Sequence, residues 1–245
     1  MEETLKRLQQ WISESDNIVF FGGAGVSTES GISDFRSVDG LYHQSYRYPP
    51  EKILGHSFFE GNPEEFYRFY HEKLVCPGVQ PNAAHRKLAE LEQAGKLRAV
   101  VTQNIDGLHQ AAGSREVLEL HGSTHRCYCA ACRKPYPEAS INDCDGVPRC
   151  SCGGVIRPDV VLYEESLDGD VMNRAIDYIS RADVLIIGGT SLVVYPAAGL
   201  VRYYNGGKLV LINRDPTPCD RSANLVINDS IGAVLGAIQV SGVGA

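Results

Sequence analysis

The stretch FFGGAGVSTESGISDFR, residues 20–36, decides the fold. An apolar run, Ile18 to Phe21, ends on Gly22 and is followed at once by Gly23-Ala24-Gly25. Small residues directly after a strand let the backbone turn tightly and approach a pyrophosphate, whose charge favours the free amides at a helix start. A hydride-transferring dehydrogenase would place a third glycine where this chain has Thr28, and would close a second strand with an acidic residue about 20 positions on. Residues 41–50, LYHQSYRYPP, form no such strand. The turn therefore suits a phosphate, but the segment that follows it, ending in Asp34, Phe35 and Arg36, has some other task.

Outward from this loop, helical and strand patterns alternate. Leu5, Leu8 and Ile12 recur at helical spacing, Asn62-Pro63-Glu64-Glu65 opens a helix to about Leu74, and a further helix spans Asn82 to Ala94. Arg98–Gln103, Val117–Leu120, Val160–Tyr163, Val184–Gly188 and Leu209–Asn213 read as strands, with a helix over Val171–Ser180. The alternation predicts an α/β fold, a doubly wound parallel sheet of Rossmann-like type. Two stretches interrupt it, 40–74 and 125–155, and together they suggest a smaller inserted domain. The larger domain then comprises residues 1–39, 75–124 and 156–245. The tail Ser241–Ala245 is expected to fray.

Composition narrows the class of partner. The 245 residues carry a formal charge of −7, which argues against a sequence-independent grip on nucleic acid. No apolar run approaches the roughly 20 residues that span a bilayer, and the N-terminal segment has no apolar core of a signal peptide. The expectation is a cytoplasmic protein with no membrane partner.

Six of the eight cysteines lie between Cys127 and Cys152. Cys129 and Cys132 form C-x2-C, and Cys150 and Cys152 form C-x-C. Two close pairs can complete a closed tetrahedral thiolate site for zinc, with no open position for chemistry. The C-x-C pair is tighter than the commoner spacing, so Cys144 or Cys127 stands as an alternative fourth ligand.

The loop Gly23–Arg36, with Gln103-Asn104-Ile105-Asp106, His121-Gly122, the four-cysteine module, Arg157–Val161, Gly189–Val194 and Ile212-Asn213, resembles the sirtuin family of NAD-dependent protein-lysine deacylases, in its prokaryotic form of a single catalytic core. The resemblance covers nearly the whole chain. It implies that NAD is consumed as a co-substrate, that acetyl-lysine protein or peptide is the other substrate, and that the zinc is structural. It implies that Gly23, Ala24, Gly25 and Thr28 hold the pyrophosphate, and that Asp34, Phe35 and Arg36 cover the nicotinamide ribose. Gln103, Asn104, Ile105 and Asp106 would hold the ribose and the carboxamide. His121 would be the general base, since an imidazole titrating near neutrality can take a proton from a ribose hydroxyl; Asn104 and Asp106 complete the catalytic set. Gly189, Thr190, Ser191 and Asn213 would meet phosphate and adenosine, with Ser230 and Ile231 at the adenine edge. An acyl-lysine peptide would pair as a strand between Val160, Val161, Leu162, Tyr163 and Glu165 on one side and Val193, Val194 and Tyr195 on the other. His85 and His109 read as packing or capping residues.

Family members that remove acidic acyl groups pair a tyrosine with an arginine three residues on. Here Tyr67 is followed by Tyr70, and a carboxylate buried without a cation is costly, so acetyl is the simplest acyl group. Three departures from the family pattern stand out: Gly22 for a hydroxyl residue, Ser33 for proline, and Glu164 for glycine. Two other readings of the same residues are protein mono-ADP-ribosyl transfer and a non-catalytic, zinc-containing NAD adaptor.

Overall fold

The computed structural model describes residues 2–37 and 40–240; the tail 241–245 lies outside them. Nine strands are present among these residues: β1 Ile18–Gly22, β2 Leu97–Thr102, β3 Val117–Glu119, β4 Gly122–Cys129, β5 Pro135–Tyr136, β6 Ile156–Val160, β7 Val184–Gly188, β8 Lys208–Ile212 and β9 Leu225–Ile227. Six of them form one parallel sheet in the order β3-β2-β1-β7-β8-β9. The order reverses between β1 and β7, and a sheet of this kind binds ligands in the crevice outside the carboxyl ends of its strands at such a reversal. Gly23 follows β1 there and Gly189 follows β7.

β1 and β7 are buried along their whole length, which is why both read as unbroken apolar runs and not as alternation. One face of the sheet packs Leu8, Ile12, Leu88, Leu91 and Val234 from three helices; the other packs Ala175, Ile179 and Leu200. The helices start where their capping residues stand. The Asn62 side chain accepts from Glu65 N–H, Asp168 from the first amides of Gly169–Arg181, and Asn82 with His85 closes a reciprocal capping box.

A second, smaller unit covers the carboxyl end of the sheet. Its antiparallel sheet has the order β5-β4-β6, and its helices span His56–Gly61 and Pro63–Lys73. Phe59, Phe66, Tyr67 and Tyr70 fill its core against Cys127, Ile156 and Leu162. The Phe59 and Phe66 rings meet edge to face at 4.9 Å between centroids, an arrangement that suits the ring quadrupoles.

Two expectations need correction. Val160–Tyr163 is not a strand of the parallel sheet: Val160 ends β6, which pairs antiparallel with β4. The chain beyond it is captured elsewhere, as Val161 N–H donates to the His121 carbonyl and Tyr163 N–H to that of Leu54, both at 2.9 Å. The same pairing carries the antiparallel sheet across the expected domain boundaries at 124 and 156, because β4 begins at Gly122 and β6 covers 156–160. The parallel sheet also gains β9, three residues long, whose neighbour Asn224 accepts from Leu209 N–H through its side chain.

Candidate active site

Between the two units lies a cavity of about 570 Å³. Its floor is the junction of the two glycine turns. Gly25 N–H donates to the Gly189 carbonyl at 2.8 Å, and a Cβ on Gly25 would stand 2.8 Å from Gly189 Cα. Gly189 itself has φ +59°, with no room for a side chain, since its Cβ would lie 2.3 Å from Val26 N. Only glycine serves at both positions. Gly22 differs: a Cβ there would stand 2.6 Å from Phe20 Cε1, so a side chain asks that ring to shift and meets no backbone.

Every residue expected to meet NAD lines this one cavity: Gly23, Ala24, Gly25, Thr28, Asp34, Phe35 and Arg36 from the first loop, Gln103 to Asp106 and His121 from the second and third, and Gly189, Thr190, Ser191, Asn213, Ser230 and Ile231 from the far side. The expected peptide segment Val160–Glu165 lines it too, with Val194 and Tyr195; Val193 does not, and points 47% exposed to the outside.

The centre of the site is a chain of hydrogen bonds. Asn104 Nδ2 donates to Ser27 Oγ at 3.0 Å, and Ser27 Oγ donates to Asp106 Oδ2 at 2.6 Å. Asp106 Oδ1 accepts Leu108 N–H at 3.0 Å, so both carboxylate oxygens are fixed. Ser27 is fully buried and was missed in the sequence, where nothing distinguishes it from the other hydroxyl residues of its loop. His121 follows β3, and its Nδ1 lies 2.9 Å from the Gln103 carbonyl oxygen. A carbonyl only accepts, so Nδ1 carries the hydrogen and Nε2 keeps its lone pair. Burial pulls the His121 pKa below the ordinary value, partly offset by that bond, and the ring is neutral at neutral pH. Gln103 in turn reaches Thr190 Oγ1 at 3.0 Å, joining the two halves of the sheet's rim.

At the far end, Asn213 bonds the main chain of Thr190 in both directions, Nδ2 to its carbonyl at 2.7 Å and Oδ1 from its N–H at 3.1 Å. Its amide thus shapes the turn as well as facing the cavity. The Asp34 Oδ1 accepts the N–H groups of Arg36 and Ser37, and the Arg36 guanidinium lies 5.0 Å from the centre of the Tyr42 ring. Tyr42, its ring tilted at 60° to that of Phe35 with 5.5 Å between centroids and its hydroxyl 2.6 Å from that of Tyr163, is a further lining residue absent from the expected set. Tyr67 and Tyr70 are buried in the aromatic core and do not line the cavity, whereas Lys73, one turn on, does; its Nζ is paired with Glu72 Oε1 at 3.1 Å.

His85 and His109 are packed against each other with ring centroids 4.7 Å apart, and His85 Nδ1 accepts Asn82 N–H. Burial drives both pKa values down, that of His109 to about 3. They pack and cap, as expected.

Cys129, Cys132, Cys150 and Cys152 bring their sulfurs within 4.8 Å of one another. Cys129 and Cys152 lie 3.5 Å apart, and Cys132 and Cys150 3.7 Å. Four thiolates at about 2.3 Å from a shared zinc stand roughly 3.8 Å apart in a tetrahedron, so the set fits that ion. The amides of Cys132 and Cys152 donate to the sulfurs of Cys129 and Cys150, which favours the thiolate form. Cys127 and Cys144 stand outside the cluster, which settles the alternative in favour of C-x-C.

A phosphate-binding turn at the switch point, a neutral histidine with a free nitrogen and a closed thiolate module define a nucleotide-using enzyme of the doubly wound class. A model of the Sir2 family matches residues 23–196, and this chain belongs to that family, the sirtuins. It is 60% identical over 242 residues to the NAD-dependent protein deacetylase of Clostridium perfringens (strain 13 / Type A), covering 97% of this chain and 99% of that one. Among solved structures it is similar to a Sir2–p53 peptide–NAD+ complex, with a TM-score of 0.83, 43% identity and 94% and 95% of the two chains covered. A second, from work on the mechanism and regulation of Sir2 enzymes, superposes with a TM-score of 0.88 at 39% identity over 96% of each chain.

Proposed function

We infer that this chain is an NAD-dependent protein-lysine deacetylase. The observation that carries the reading is the setting of His121: its Nδ1 is held by the Gln103 carbonyl, which leaves Nε2 as the acceptor, and the residue lines the same cavity as the glycine turn and the 160–165 segment. The acetyl-lysine amide oxygen attacks the anomeric carbon of NAD as nicotinamide leaves; a ribose hydroxyl then attacks the acyl carbon, and with one water the amide C–N bond breaks, which frees lysine and leaves the acetyl group on the ribose as O-acetyl-ADP-ribose.

The chain's own groups divide the work. The turn Gly23-Ala24-Gly25, with Thr28 beside it, holds the pyrophosphate: Gly23 and Gly25 give their N–H groups to the Gly188 and Gly189 carbonyls and so fix the turn, which leaves the Ala24 amide to face the phosphate; Gly189, Thr190, Ser191 and Asn213, with Ser230 and Ile231, hold the adenosine end. Asn104, Ile105 and Asp106 grip the nicotinamide end, and Gln103 the ribose. Phe35, packed against Tyr42, excludes water from the reacting face. His121 Nε2 takes the ribose hydroxyl proton, and its burial keeps it in the form that can do so.

The acetyl-lysine peptide pairs with Val160, Val161, Leu162, Tyr163 and Glu165 on one side and with Val193, Val194 and Tyr195 on the other. In support, the Val161 carbonyl and the Glu164 N–H have no protein partner among the described residues, unlike the Tyr163 main chain, which is committed to Leu54 and His56. A neutral acyl group suits a site in which Tyr70 is buried and Lys73 is engaged by Glu72. Cys129, Cys132, Cys150 and Cys152 hold a structural zinc. No helix is long and apolar enough to cross a membrane among the described residues, and none of the eight cysteines is in a disulfide, which suits a cytoplasmic enzyme. The net charge gives no support to nucleic-acid binding.

The test is mass spectrometry of an acetyl-lysine peptide incubated with the protein, with and without NAD. Loss of acetyl only with NAD, together with acetyl-ADP-ribose, is the expected result. ADP-ribose attached to protein, or an unchanged peptide with NAD bound, would replace this reading with transfer or with an adaptor.

A further inference from the structure

We propose that His125 is a positioning residue: it ties the loop Ile105–Gly107 to the cysteine-bearing unit and so holds the nicotinamide end of the site in place. The proposal rests on the reading of that loop given above. His125 lies on β4, outside the cavity lining, and takes no part in the chemistry.

Three consecutive loop residues are met by two residues of β4, Thr124 and His125. Thr124 donates from both its N–H and its hydroxyl to the Ile105 carbonyl, each at 3.0 Å. The Nε2 of His125 lies 3.0 Å from the Asp106 carbonyl oxygen. The imidazole sits flush against Gly107, where a Cβ would stand 2.6 Å from His125 Cδ2. The other ring nitrogen, Nδ1, lies 2.5 Å from Glu138 Oε2, just ahead of the short helix Ala139–Asn142.

A carbonyl oxygen and a carboxylate both accept, so both ring nitrogens donate and the ring stands as an imidazolium. Burial alone would lower its pKa, but the Asp106 carbonyl and Glu138 outweigh burial and hold it above the ordinary histidine value. The charged groups that face it are Glu138 and Glu119, at the end of β3; the Asp106 carboxylate is committed to Ser27 and Leu108 inside the site. Loss of the proton leaves one N–H for two acceptors. The tether matters because the same residue, Asp106, offers its carbonyl to His125 and its carboxylate to the Ser27–Asn104 chain inside the site. Fixing the first from outside aims the second.

The experiment is calorimetric measurement of NAD and acetyl-lysine peptide binding to the full chain, at neutral and alkaline pH, for the wild type, His125→Ala and His125→Gln. Binding is read without turnover, so a failure of the deacetylase reading, seen as an unchanged peptide, is separate from a failure here. His125→Ala is expected to raise the Kd for NAD about fivefold, the size of effect one lost hydrogen bond produces, and to leave peptide binding unchanged. Glutamine offers an N–H to the Asp106 carbonyl and does not titrate. His125→Gln should therefore bind NAD nearly as the wild type does at neutral pH, and should lack the weakening that the wild type shows at alkaline pH. An unchanged Kd for NAD in His125→Ala, an equal loss of peptide binding, or a glutamine variant no better than the alanine one would overturn the proposal.

Discussion

Where the parallel sheet meets the cavity the contacts are backbone against backbone, whereas the opposite wall, residues 160–165, is held charge against charge. On the first side, Gly25 and Gly189 are in van der Waals contact with no side chain between them, and Asn213 closes on the main chain of Thr190. On the second, Glu165 accepts from Arg157 Nη1 at 2.6 Å and Nη2 at 3.0 Å, from Leu162 N–H at 2.8 Å, and meets His56 Nδ1 at 2.8 Å. Glu164, in the left-handed region with φ +74°, spends its carboxylate on the N–H and hydroxyl of Ser57. Close backbone packing has a single solution, because interiors are as dense as molecular crystals. Ionic contacts at a partly open surface answer to salt, pH and substitution. On the proposed reading, the close-packed wall is the one that holds NAD and the ionic wall the one that meets the peptide.

The largest effect should come from the first wall. Gly189→Ala adds a Cβ at a positive φ and 2.3 Å from Val26 N, and both terms oppose it. A loss of about 3 kcal/mol in urea unfolding is expected, from left-handed strain and overpacking together. A variant of near wild-type stability would mean that this wall can yield after all, and would remove the contrast.

Glu165→Ala probes the second wall, where it leaves the Arg157 guanidinium buried without its partner. The cost should be smaller, about 2 kcal/mol, because the Glu165 side chain is 20% exposed and water can reach part of the gap. The same variant should raise the KM for peptide more than that for NAD. If the KM for NAD rises equally, the two walls are not separate in function.

Much of this was legible in the sequence, for physical reasons that differ by region. β1 and β7 show as apolar runs because a parallel strand buried on both faces leaves no polar position, and the cysteine pairs show because thiolate ligands must come from the chain in close pairs. His121 was marked by the family resemblance, which sets the base after a strand and before a glycine. Three kinds of feature were hidden. The strand expected at Val160–Tyr163 has β-branched residues that suit a strand, yet its partners lie at 54–56 and 121, and no local pattern records partners so distant. Ser27 owes its role to Asn104 and Asp106, more than seventy residues away. His125 became visible only once Glu138 and the Asp106 carbonyl stood on either side of its ring.

The most direct measurement of the central claim, that both substrates meet at His121 in one cavity, is release of nicotinamide from labelled NAD with and without an acetyl-lysine peptide, for the wild type and His121→Ala. Burial with a free Nε2 predicts fast release by the wild type only when peptide is present, and no completed deacetylation by the variant. Equal release without peptide, or full deacetylation by His121→Ala, would contradict the account.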